Sequence, residues 1–163
     1  MPKAILLCGK VGCGKTTYAK KLMKERNAVL LSVDEIMLAL FGNDAGDMHH
    51  YYAERTQGHL YQKSLEILGQ GIDVILDWGF WTKESRAAAR KFFEDAGYES
   101  EIHYIAVSDD VQRRNLNVRN ADFLAGNHSA YYVEEETAAI FNARFEEPSD
   151  NETDIVFVNE SKE

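Results

Sequence analysis

Several things are scarce in this 163-residue sequence, and each scarcity excludes something. Its two cysteines, Cys8 and Cys13, have neither metal-ligand spacing nor the look of a disulfide framework, which leaves them as small apolar fillers in a reducing compartment. No stretch approaches the roughly 18 consecutive apolar residues of a membrane span. The first strand pattern starts almost at Met1, so no signal peptide is expected and the expected location is cytoplasmic. Basic residues are few, 18 against 27 acidic, for a formal charge of −9. A surface that holds phosphates in a row is normally basic, so a long nucleic-acid partner is disfavoured, while a local nucleotide site stays open. There is no internal repeat and no low-complexity segment. What the chain does have is 45% hydrophobic and 11% aromatic content, enough for the core of a single domain over residues 1–163.

The most informative stretch runs from residue 4 to 22. Ala4-Ile5-Leu6-Leu7-Cys8 has the form of a short buried strand, and it empties into Gly9-Lys10-Val11-Gly12-Cys13-Gly14-Lys15-Thr16. After Thr17, the positions of Ala19, Leu22 and Met23 have helical spacing. Strand, glycine loop and helix together form a phosphate-binding loop of the G-x-x-x-x-G-K-[ST] kind. Glycines let successive backbone N–H groups curl around phosphates, and the helix N-terminus adds partial positive charge. Lys15 would reach the outer phosphates, and the Thr16 hydroxyl would ligate the accompanying Mg²⁺. Cys13, set among N–H groups that favour an anion, is expected to be a reactive thiol that bound ATP protects.

The rest of the chain alternates strand and helix patterns. Residues 27–32, 71–79, 101–107 and 154–158 read as strands. Helices are expected from about Val33, from an Asp47 cap to Gln70, from a Thr82 cap to Ala96, after Ser108, and after Glu134 with Ala138, Ile140, Phe141 and Phe145 on its apolar face. A short polar tail follows the last strand. The expected fold is α/β, a five-stranded, mostly parallel sheet with helices on both faces. In such sheets ligands lie beyond the carboxyl ends of the strands, where Asp34, Asp77 and Ser108 also fall.

Asp77 closes an apolar strand, as a carboxylate that holds Mg²⁺ would; its plainer role is to cap the next turn. Asp34 could orient an acceptor hydroxyl and take its proton, or could serve only as a helix cap. Arg113, Arg114 and Arg119 lie on one helix ahead of an irregular polar segment, the form of a lid over residues 110–132 that closes arginines on a transferring phosphoryl group. Solvated surface arginines are the alternative. Tyr51, Tyr52, His49 and His50 crowd one helix start, and Trp78, Phe80 and Trp81 follow the third strand; their rings suggest a substrate ring or sugar face.

Gly9 to Thr16, Asp34-Glu35-Ile36 with Leu40-Phe41-Gly42, Leu76 to Trp81 with Arg86, Arg119-Asn120, and Phe145-Glu146-Glu147-Pro148 with Glu152 together resemble the small P-loop kinases often labelled "AAA family ATPase". That group is similar to zeta toxins, chloramphenicol phosphotransferase and the polynucleotide 5′-kinase domain. The resemblance implies a P-loop NTPase fold with an arginine-bearing lid, Asp34 as base, Asp77 as the acid of the third strand, and Arg119 as the lid arginine. It further implies ATP and Mg²⁺ as cofactors, with Arg114 a second candidate on the nucleotide. Two departures stand out. Polynucleotide kinases and zeta toxins carry an arginine three residues after the base, where this chain has Met37, and the common lid pattern R-L-x-x-R is broken by Asn115. Both point to a small hydroxyl acceptor rather than a nucleic-acid end. The expected function is an ATP- and Mg²⁺-dependent phosphotransferase acting on a small-molecule hydroxyl. Its rivals are a polynucleotide or nucleotide kinase and an NTPase module without an acceptor.

Overall fold

The computed structural model describes residues 1–160. In chain order its elements are β1 (Lys3–Cys8), α1 (Lys15–Glu25), β2 (Ala28–Ser32), α2 (Val33–Phe41), a 3₁₀ turn (Gly46–Met48), α3 (His49–Gly69), β3 (Asp73–Gly79), α4 (Lys83–Asp95), β4 (Glu99–Val107), α5 (Asp109–Leu124), α6 (Glu135–Arg144) and β5 (Ile155–Asn159). The strands form one sheet in the order β2-β3-β1-β4-β5, and every neighbouring pair is parallel. The expected "mostly parallel" sheet is thus wholly parallel. Parallel neighbours need crossovers, and these put helices on both faces.

β1 runs up the middle with no solvent exposure from Ala4 to Cys8. Because strand side chains alternate, Ala4, Leu6 and Cys8 join a core with Met37, Leu68 and Phe93 on one face, while Ile5 and Leu7 join Ala19, Leu22 and Ile105 on the other. Three helices are capped as their sequences dictate. The Ser32 hydroxyl accepts from the Glu35 N–H at the start of α2, Thr82 and Ser85 form a reciprocal capping box on α4, and Ser108 accepts from the Val111 N–H on α5.

Two expectations need correction. Asp47 caps nothing, since the 3₁₀ turn intervenes and α3 starts at His49 without a side-chain cap. The predicted apolar face of α6 is split: Ala138 is buried and Phe141 packs on Trp81, but Ile140 is 53% exposed. The register between β1 and β3 is irregular near its end. Leu6 opposes Leu76 but Cys8 opposes Gly79, so β3 carries one extra residue beside Asp77 and Trp78. Such a bulge re-aims side chains at the end of a strand.

Arg86 braces this region from below. Only 1% exposed, it pairs through Nε with a Glu152 carboxylate oxygen at 3.0 Å, and its Nη1 donates to the Phe80 carbonyl at 3.0 Å. The Ser149 backbone N–H, and after it Arg86, hold the Glu152 carboxyl below its ordinary range. A depressed carboxylate adds stability that is complete above its unfolded pKa and is lost as pH falls through the folded value. The melting temperature of the wild type should therefore drop faster between about pH 5 and pH 3 than that of Glu152→Gln. Parallel melting curves for the two proteins would reject this pairing as a source of acid lability.

No described helix is long and apolar enough to cross a membrane.

Candidate phosphate and acceptor site

The loop between β1 and α1 is held open from outside. Three side-chain amides donate to its carbonyls: Gln112 to Val11 at 2.8 Å, Asn115 to Gly12 at 2.9 Å and Asn159 to Cys13 at 2.9 Å. Gln112 is fixed in turn by Asn142 of α6 at 2.8 Å. With its carbonyls drawn outward, the loop can turn backbone N–H groups inward, the arrangement of an anion nest. Gly14, at φ 96°, leads into α1, and a Cβ there would lie 2.6 Å from the Asn159 amide nitrogen. No side chain caps α1, so its first N–H groups face the same concavity. The Lys15 ammonium folds over the loop, donating to the Gly9 and Lys10 carbonyls at 3.2 and 3.0 Å.

Cys13, expected to be a reactive thiol, is buried. Its side chain has no solvent exposure and packs with Leu7, Ala19 and Ile105, so the loop shows only its backbone at this position.

Two carboxylates stand beside the loop. Thr16 Oγ1 donates to Asp77 Oδ2 at 3.2 Å, joining a hydroxyl and a carboxylate at the start of α1. Asp77 is 7% exposed; burial pushes its carboxyl upward, against the pull of Lys15 and the Thr16 hydroxyl. Asp34 lies in the first turn of α2. Since Ser32 is the cap, the cap-only role for Asp34 falls away. Its side chain is open to solvent but crowded by surrounding protein. This crowding raises its carboxyl, and Arg119, Lys15 and His49 draw it back. Arg119 feels both acids in return.

The segment that follows α5 is held to it by polar ties. Arg119 Nε donates to the Tyr131 carbonyl at 2.8 Å, and Asn120 clasps Val133 with one bond in each direction, at 2.7 and 2.9 Å. The Tyr131 hydroxyl is buried without a hydrogen-bond partner among the described residues. Burial and the nearby Asp34 charge push its phenol up to about 12. The His49 ring meets Tyr131 edge-on at 5.7 Å, whereas His50 turns to solvent with Glu54. Arg113 is also on the outside, 68% exposed and paired with Asp110 at 3.4 Å, and Arg114 is half-buried on the same helix. The charge of Arg119 reaches both Asp34 and Asp77. Met37 is 1% exposed, and its sulfur accepts from the Thr56 hydroxyl at 3.8 Å; it belongs to the α2–α3 packing. Sequence reasoning missed Gln112, Asn142, Asn159 and Tyr131, and quoted Asn120 only as part of a family pattern. Asn115 drew notice only as a departure from an arginine pattern, and it proves to be a support of the loop.

A family model described as an AAA domain matches residues 5–148. The chain belongs to this AAA domain family. No curated protein matches it. Among solved structures, this AAA domain is similar to a Chloroflexus aurantiacus protein assigned as a kinase, with TM-score 0.73 and 19% identity over 97% of this chain and 84% of that one. It is also similar to a chain of the Pnkp1/Rnl/Hen1 RNA repair complex, with TM-score 0.71 and 18% identity over 88% of this chain and 43% of the other. A third similar structure is the Mycobacterium tuberculosis APS kinase CysC in complex with AMPPNP and APS, with TM-score 0.61 and 19% identity over 99% and 90% of the two chains. At these identities the likeness establishes a shared fold, and that fold is the one found in P-loop kinases.

Proposed function

We propose that this AAA domain is an ATP- and Mg²⁺-dependent phosphotransferase that moves the γ-phosphoryl group to a hydroxyl of a small molecule. The observation that carries the proposal is that Asp34 and Asp77, beside one phosphate loop, each lie within electrostatic reach of both Lys15 and Arg119. In this reading the backbone from Gly9 through Thr17 cradles the phosphates and Lys15 meets the outer ones. Thr16 and Asp77 would hold Mg²⁺: a hydroxyl and a carboxylate are hard oxygen donors, and Mg²⁺ usually takes few ligands from protein and the rest from phosphates and water. The ion, when bound, neutralises charge on the phosphate oxygens. Asp34 receives the acceptor's proton as the acceptor oxygen bonds to γ-phosphorus. The bond from phosphorus to the β,γ-bridging oxygen breaks, and ADP leaves with its electron pair. Arg119, with Arg114 beside it on α5, closes on the charge that spreads over the transferring group.

The similar structure with AMPPNP bound supports ATP as the donor. One similar structure belongs to an RNA repair complex, but the charge of −9 and the burial of Met37 argue against a polynucleotide acceptor here. Single- or double-stranded nucleic acid should therefore fail to bind at physiological salt. A salt-dependent gel shift at low micromolar protein would reverse that choice of acceptor. The proposal as a whole is tested by ADP release from MgATP with and without a metabolite and antibiotic panel. An ATPase rate that no acceptor stimulates would favour an acceptor-less module.

A further inference from the structure

One border of the sheet is left bare. β5 has β4 beside it and, among the described residues, no strand on its other side. Its faces are as open as its edge, since Ile155, Val156, Phe157 and Val158 each keep between 38% and 57% of their surface exposed. At the opposite border β2 ends in Leu31 and Ser32, both buried, so the exposure is particular to β5. Parallel strands are ordinarily covered on both faces, and folded proteins usually avoid a bare apolar run at a sheet edge.

The register assigns each side chain to a face. His103 opposes Ile155 and Ile105 opposes Phe157, and the Phe157 ring meets Tyr18 of α1 at 5.1 Å. Ile155 and Phe157 therefore lie on the α1 face, and Val156 and Val158 on the other. A helix docked from outside could cover one of these faces, but it would leave the other face and the backbone row at the edge as they are. A strand added in the plane of the sheet covers all three at once. The usual devices against such pairing are missing: from Ile155 to Val158 there is no lysine, no proline and no charge, and β5 pairs with β4 without a break in register.

The strand that fits follows from the symmetry of the sequence about Phe157, the middle residue of β5. Two copies related by a two-fold axis pair antiparallel, and with the axis at Phe157 each Phe157 meets its own copy while Val156 meets Val158. One face then carries two valine pairs, and the other a row of four rings from Tyr18 and Phe157 of each copy. Aromatic and β-branched cross-strand pairs are the ones that stabilise antiparallel ladders. We propose that the outer edge of β5 is a self-association surface, on which a second copy of this chain adds its β5 antiparallel and joins the two five-stranded sheets into one. The same register sets Asp154 against Glu160 of the second copy at each end of the ladder. These opposed acids, on a chain of charge −9, work against association, so salt should favour it.

Sedimentation velocity of the full chain from about 5 to about 500 µM should show a monomer–dimer equilibrium and no larger species, since a two-fold contact closes on itself. A ladder this short is small against the roughly 1,200–2,000 Å² of standard interfaces, so the dimer is expected to be weak. Raising NaCl from about 50 to about 500 mM should tighten it. Val158→Lys places an ammonium inside the ladder at a position already exposed, and should weaken dimerisation roughly tenfold or more while the melting temperature stays near wild type. Val156→Lys repeats the test should the first variant melt early. Glu160→Lys also adds positive charge yet turns the contact with Asp154 into an attraction, so it should tighten the dimer roughly threefold or more and lessen its salt dependence. A monomer at every concentration would overturn the proposal and leave the edge to a strand from another protein. A dimer indifferent to the lysines at 156 and 158, or one that Glu160→Lys leaves unchanged or weakens, would overturn it as well, because the contact would then lie elsewhere.

Discussion

Lys15→Ala is expected to lower phosphoryl transfer by about 10³-fold or more while leaving the fold in place. The ammonium is a compact charge at the mouth of the loop, and its value grows as negative charge builds on the transferring group. Preorganised donors of this kind are worth about 10²–10³ singly, and charge clamps on phosphoryl groups up to about 10⁵. The substitution also removes two hydrogen bonds, to the Gly9 and Lys10 carbonyls. Those bonds are not what shapes the loop, since Gln112, Asn115 and Asn159 hold the next three carbonyls. Melting temperature and turnover measured on the same sample separate the two effects. Wild-type turnover in a folded Lys15→Ala protein would remove this loop from the chemistry.

Asp34→Asn should cost about 10²- to 10⁴-fold in acceptor-dependent turnover, the usual worth of a general base. Because Ser32 caps α2, the variant loses no helix cap. Crowding raises the Asp34 carboxyl in the folded protein. A raised acid favours the fold below its unfolded pKa, and that advantage is lost as pH rises through the folded value, so at neutral pH the charge is a mild cost. The amide should accordingly melt no lower than the wild type at pH 7. The same raised carboxyl sets an acid limb in the wild-type rate above the ordinary aspartate range, and that limb should disappear in the variant. A fully active Asp34→Asn enzyme would move the search for the base to His49, which faces the same cleft.

How much of this was legible beforehand differs by kind of residue. The sheet was readable because β1 and β3 are unbroken apolar runs ended by glycine or acid, and burial on both faces demands that pattern. The phosphate loop was readable because its spacing is a backbone requirement. Asp34 and Asp77 could be placed because strand ends in a parallel sheet converge on one edge. What could not be read was contact at long range between neutral amides and carbonyls. Gln112, Asn115 and Asn159 lie 101, 103 and 146 positions from the loop residues they hold, and no local spacing announces such bonds. Tyr131 was hidden for a related reason, since it stands in an irregular segment whose path is set by Arg119 and Asn120. Arg86 and Glu152 were quoted only as parts of a family pattern; the structure gives the physical cause, a buried ion pair that supports the Phe80 carbonyl.

Those three amides also bear on how the molecule comes apart. They come from α5 and from β5, and they converge on three successive peptide units of a loop formed near the start of the chain. Fraying of the sheet edge at β5, or an outward swing of α5, would therefore release loop carbonyls and let the N–H groups turn away from the phosphate position. Readiness to bind phosphate and the local unfolding of two distant segments become a single equilibrium. A nucleotide that favours the inward-facing loop would, by the same token, slow amide exchange in β5 and α5, neither of which contains the glycine-rich sequence.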